Sequence, residues 1–138
     1  MSVSFINKLF KSKSNDDFCT AVVLAAGNSQ RMGKDKILMP LGGAPVIAHT
    51  LKALQSAECI DEIVVVTKYE SLQELADICH DHGISKASKV VVGGKTRLES
   101  SLIGVSNADE RAKYIAIHDG ARPFVTNSLI ERVVHSAH

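Results

Sequence analysis

Apolar residues fall into four short runs, separated by stretches with helical spacing or by glycine-rich turns. Thr20 to Ala25 and Ile63 to Val66 are continuous and largely apolar, the pattern of strands covered on both faces. Lys89 to Val92 and Tyr114 to Ile117 read as two further strands. Between the first two, Val46, Ile47, Leu51 and Leu54 recur at helical spacing to about Ser56. Pro45 stands ahead of them and suits the first turn of a helix, where its missing N–H would go unbonded anyway. Ser71 to His82 reads as a second helix, with Ser71 as its cap, Glu74 completing a capping box and Gly83 as its stop. Thr96-x-x-Glu99 opens a third helix, which runs through Leu102, Ile103 and Val105. A last helix is predicted from Thr126 or Asn127 to the C-terminus. Leu38 to Pro45, with Gly42-Gly43 and two prolines, is turn-rich.

Strand and helix thus alternate four times. That order predicts an α/β fold, a Rossmann-like open, mostly parallel sheet with helices on both faces. Residues 1–18 carry lysines and only a brief apolar stretch, and are expected to be a mobile N-terminal tail; residues 19–138 are expected to form one α/β domain. In such sheets ligands sit beyond the carboxyl ends of the strands. Three unusual loops follow the first, third and fourth strands, so all three fall at that edge.

Composition narrows the function. The chain has 138 residues, 45% of them hydrophobic, and a formal net charge of +1. It has no basic field that would draw it to nucleic acid, so any anion site must be local. Aromatics are 4% and tryptophan is absent, which weakens base stacking on a single strand. No apolar run approaches a membrane span, and the start lacks the apolar centre of a secretory signal. Cys19, Cys59 and Cys79 are odd in number and far apart, without metal-ligand or disulfide spacing. A reducing, cytoplasmic location is expected. The six histidines show no zinc-site spacing, and His118 is expected to pack under the fourth-strand loop.

The first loop runs Ala25-Ala26-Gly27-Asn28-Ser29-Gln30-Arg31-Met32-Gly33, with Lys34 and Lys36 behind it. Small residues let backbone approach a ligand, glycine aims several N–H groups at one point, and Arg31 and the lysines add charge: a cradle for a polyphosphate. The spacing is neither the Walker nor the dinucleotide pattern. The structural alternative is an ordinary strand-to-helix turn. The second loop, Gly93-Gly94-Lys95-Thr96-Arg97-Leu98-Glu99-Ser100, exposes backbone donors and acceptors ahead of a helix N-terminus, which favours anions or the edge of a base. Thr96 and Glu99 read as capping residues there; Gly94, Arg97 and Ser100 read as functional. In the third, His118-Asp119-Gly120-Ala121-Arg122-Pro123, Asp119 lies just past a strand end and can hold Mg²⁺ or accept from a hydroxyl. Arg122 can grip a phosphate or pair with Asp119.

Together the loops resemble the 2-C-methyl-D-erythritol 4-phosphate cytidylyltransferase family. Leu-Ala-Ala-Gly-x-x-x-Arg-Met-Gly with a following lysine is similar to the signature loop of nucleotidyltransferases at large. Gly93-Gly94-x-x-Arg97-x-x-Ser100 and His118-Asp119-Gly120-Ala121-Arg122-Pro123 narrow the likeness, which runs from about Thr20 to the last residue. Ribitol-5-phosphate cytidylyltransferase shares most of the pattern. The resemblance implies transfer of CMP from CTP to a polyol phosphate with release of pyrophosphate. It implies Arg31 and Lys36 as catalytic residues, and Ala25, Ala26, Gly27, Gly94, Lys95, Arg97 and Ser100 as nucleotide-binding. Asp119 and Arg122 would bind substrate, with Asp119 also a ligand of Mg²⁺ or another divalent cation. Ile37-Leu38 stand where the family has Gln and an aromatic, which leaves Lys34 a rival to Lys36. The resemblance also implies that a homodimerisation arm, a second acidic metal ligand and the residues gripping the polyol phosphate lie beyond His138. The chain is therefore expected to be the nucleotide-binding half, poor in turnover or a non-catalytic nucleotide-binding module.

Overall fold

The structure is a computed structural model that describes residues 17–26, 30–31 and 34–121. Four parallel strands make one sheet: β1 (Cys19–Ala25), β2 (Glu62–Thr67), β3 (Ala87–Val92) and β4 (Tyr114–Asp119), in the order β3-β2-β1-β4. Three helices connect them: α1 (Val46–Ser56), α2 (Leu72–Asp81) and α3 (Arg97–Ser106). Every residue of β1 and β2 is buried, which is why both read as unbroken apolar runs and not as alternating ones.

The alternation of side chains along β1 divides the core. Ala21, Val23 and Ala25, with Ile63 and Val65 of β2, meet Ile47, Leu51 and Leu54 of α1 and Leu75 and Ile78 of α2. Val22, Leu24, Val64 and Val66 face the other way, where α3 brings Gly104 against Val22 and Val66. The chain steps outward from β1 through β2 to β3 with α1 and α2 on one face. It then returns past both strands to β4 with α3 on the other face, so all three crossovers share one hand, as the right-hand rule for parallel strands requires. Parallel register sets the site-facing rim: Ala25 stands level with Thr67, Thr67 with Val92, and Leu24 with Asp119.

The strands are longer than their apolar runs. Glu62, Thr67, Ala87, Ser88, His118 and Asp119 all belong to strands, and Asp119 ends β4 instead of lying past it. Glu62 is buried because three elements satisfy it. Its Oε1 accepts from Thr20 Oγ1 (2.8 Å) and from the Asp109 backbone N–H (2.8 Å), and its Oε2 accepts from Ser88 Oγ (2.5 Å).

Two caps differ from expectation. Ser71 precedes α2, but its side chain makes no capping bond, because Tyr69–Ser71 already forms a 3₁₀ turn leading into the helix. Pro45 stands ahead of α1 in extended backbone, pairing with Pro40 across a two-residue hairpin, so it is not in the first turn. Gly83 does follow α2 with φ of 67°, the left-handed conformation a helix stop needs. The expected last helix, from Thr126 or Asn127, lies outside the described residues, as does nearly all of the expected tail.

Candidate active site

At the carboxyl rim a cleft of about 220 Å³ opens between the ends of β1, β3 and β4. Its lining brings together Ala25 and Ala26 from the first loop, Gly94, Lys95, Arg97 and Ser100 from the second, and Asp119 from the third. Leu24, Ile37, Thr96 and Ala121 complete it. The expectations for Gly27 and Arg122, and for the side chains of Arg31, Lys34 and Lys36, lie outside the described residues. The backbone there pairs Gln30–Arg31 with Lys34–Asp35 in a short antiparallel hairpin, and Lys36–Leu38 forms one 3₁₀ turn.

Close packing seats the second loop on the first. At position 93 a side chain would bring its Cβ within 2.6 Å of Ser100 Oγ, 2.8 Å of Val66 Cγ1 and 3.0 Å of Ala26 Cβ, so only glycine fits. Its backbone donors turn inward. The N–H groups of Gly93, Gly94 and Lys95 donate in succession to Thr67 O (2.8 Å), Ser100 Oγ (3.2 Å) and Glu99 Oε2 (2.7 Å). That corrects the expectation that the glycines expose donors for an anion. The Thr96 carbonyl accepts from the Ser100 N–H (3.0 Å), and Ser100, buried on α3, accepts from Gly94 through its Oγ and has its hydroxyl proton left to give. Thr96 Oγ1 accepts from the Glu99 N–H (3.1 Å), while the Glu99 carboxylate reaches Lys95 and not the Thr96 N–H of an ordinary capping box. Thr96 both caps α3 and lines the cleft, a double place the spacing alone did not show.

Lys95 and Arg97 are exposed and line the same cleft as Asp119. Asp119 Oδ1 accepts from the Ala121 N–H (3.0 Å), and its other oxygen takes no bond among the described residues. A magnesium ion beside phosphates needs one or two such carboxylate oxygens, so Asp119 fits that use. No cluster of three or more His, Cys, Asp or Glu able to hold a metal occurs among the described residues. Among the described residues, the groups with clearly displaced pKa values lie elsewhere: Asp109 and Arg111 before β4, and Cys79 on α2.

A parallel, doubly covered sheet with its cleft walled by three loops at the carboxyl rim defines a Rossmann-like nucleotidyltransferase fold. The family model of 2-C-methyl-D-erythritol 4-phosphate cytidylyltransferase matches residues 19–138, and the chain belongs to that family. The enzyme of that name from Halalkalibacterium halodurans is 37% identical over 120 residues, covering 86% of this chain and 52% of that protein. The chain thus spans about half the length of the relatives it matches. The crystal structure of 4-diphosphocytidyl-2C-methyl-D-erythritol synthase from Anaerococcus prevotii is 27% identical, with a TM-score of 0.76 over 89% of this chain and 52% of that one. A CMP:2-keto-3-deoxy-manno-octonic acid synthetase solved with CTP shares the fold alone: it is 16% identical, with a TM-score of 0.68 over 86% of this chain and 46% of that one.

Proposed function

We propose that the cleft binds CTP and that this chain forms the nucleotide-binding half of a cytidylyltransferase acting on 2-C-methyl-D-erythritol 4-phosphate. The observation that carries the base assignment is the inward turn of three consecutive N–H groups at Gly93, Gly94 and Lys95. With those donors spent, what Gly94, Lys95 and Ser100 have left for a base is carbonyl oxygens and a hydroxyl, a set that cytosine complements with an exocyclic amine donor next to ring acceptors. Uracil carries an oxygen where cytosine carries that amine. Family membership supplies the reaction class.

In the reaction a phosphate oxygen of the alcohol attacks the α-phosphorus of CTP. The bond from that phosphorus to pyrophosphate breaks, and pyrophosphate leaves in line. The protein's part is positioning and charge neutralisation. Arg31 and Lys36, with Lys34 the alternative lysine, stabilise charge on the α-phosphate in this reading. Ala25, Ala26 and Gly27 line the nucleotide, and Lys95 and Arg97 flank its phosphates. Arg122 faces the second substrate. Asp119 would hold a divalent cation, which neutralises phosphate charge when bound. The complete enzyme is a homodimer in this reading.

Isothermal titration of the 138-residue chain with CTP and UTP, each with Mg²⁺, tests the assignment. CTP is expected to bind at least tenfold tighter than UTP, the order of one well-placed base contact. Equal affinities would remove the base assignment. A pyrophosphate-release assay with the polyol phosphate then separates catalysis from nucleotide binding alone.

A further inference from the structure

The turn that carries Asp119 is gripped from two sides. The Gly120 N–H donates to Leu24 O (2.9 Å) at the end of β1. The Gly120 carbonyl accepts from Thr50 Oγ1 (3.1 Å), on α1 and 70 positions earlier in the chain. Both ends of this contact are buried, and a buried carbonyl left unbonded is costly. No side chain fits between them. A Cβ at position 120 would lie 2.6 Å from Ile47 Cδ1 and 3.1 Å from Leu24 O. From within α1, the Thr50 hydroxyl thus reaches across to the turn at the site. Asp119 in turn is tied to the same peptide, since its Oδ1 accepts from the Ala121 N–H (3.0 Å). The angle of the carboxylate is therefore fixed only as well as the Gly120 peptide is fixed.

We propose that Thr50 is a positioning residue: by bonding the Gly120 carbonyl it sets the Asp119 turn, so that the free carboxylate oxygen meets a divalent cation carried by the nucleotide phosphates. This rests on the cleft being a CTP site. Thr50 touches no ligand itself. It acts through one peptide and holds the carboxylate to the geometry a hard cation demands.

Thr50→Val removes the donor at nearly constant shape, and Thr50→Ser keeps it. Amide hydrogen exchange at Gly120 and Ala121 reads the turn without any ligand. Thr50→Val is expected to speed exchange there on the order of tenfold relative to Val23 and Val65, and Thr50→Ser to restore it. CTP titration reads the consequence. Thr50→Val should weaken binding about tenfold with Mg²⁺ and leave metal-free binding in place, again restored by serine. Unchanged exchange at Gly120 and Ala121 would overturn the proposal, as would equal losses with and without Mg²⁺. If the unmodified chain does not bind CTP at all, the functional reading above fails, while exchange still decides whether Thr50 fixes the turn. Should Thr50→Val not fold, the unmodified chain decides: a slowly exchanging Thr50 hydroxyl proton in through-space contact with Gly120 is required, and its absence overturns the idea.

Discussion

Gly104 sits where α3 crosses β1 and β2. In an exposed helix, replacing glycine by alanine stabilises by about 1 kcal/mol. Here the added methyl would lie 2.3 Å from Val22 Cγ1 and 3.1 Å from Val66 Cγ2, so overpacking reverses the sign. Gly104→Ala is expected to destabilise by about 1–3 kcal/mol in urea unfolding. Val22→Ala in the same background should recover part of that loss, because the two sites touch. The same scale shows which residues announced themselves. That Ser100 and Asp119 share a cleft was legible in the sequence, because each belongs to a short glycine-bearing motif after a strand. Thr50 and Glu62 were not. Their partners lie 70, 42, 26 and 47 positions away, and a lone threonine in an apolar helix or a glutamate beside a strand carries no local mark.

Elements were legible wherever one period ran unbroken. The apolar runs of β1 and β2 and the helical spacing of α1 located those three, and the Thr96-x-x-Glu99 pattern located α3. Their ends were not legible, because polar residues such as Glu62, Thr67 and Asp119 continue a strand whenever its neighbours pair with it. Nor did Ser71 follow its pattern, since a preceding 3₁₀ turn supplied the geometry a side-chain cap would have given. The turn between α3 and β4 makes a prediction of its own. Asp109 accepts from the Arg111 backbone N–H (2.8 Å), Nε (3.0 Å) and Nη2 (3.0 Å), while Arg111 stacks over the Phe18 ring at 4.6 Å. The arginine's side-chain bonds hold the Asp109 carboxyl down, from its ordinary 3.8 to about 2. A value lowered in the folded state contributes stability that is present above about pH 4 and lost as pH falls toward 2. Carboxyl NMR titration should give Asp109 a midpoint near 2, and Asp109→Asn should remove this turn's share of the acid dependence of unfolding.

Across the whole molecule, the alternation of strand and helix was enough to specify a parallel sheet, and the parallel sheet was enough to bring three distant loops to one rim. The strand order β3-β2-β1-β4 was not legible, because it depends on which way each crossover turns and not on any residue pattern. Neither was the inward turn of the second loop's donors, which depends on Glu99 and Ser100 reaching back across it. Burial over the entire core gives a further prediction. Cys19, Cys59 and Cys79 are all buried thiols outside any disulfide, and desolvation raises the Cys79 thiol above its ordinary value. Native protein should react slowly with a thiol-selective reagent at pH 8, and all three thiols should become reactive on denaturation. Rapid reaction of any of them without denaturant would contradict this packing. The knot of Thr20, Ser88 and Asp109 around Glu62 draws together the strands' amino ends, the rim opposite the cleft. Cohesion and recognition are therefore quartered apart. Descendants of this scaffold have latitude to vary the cleft loops without loosening what keeps the strands together.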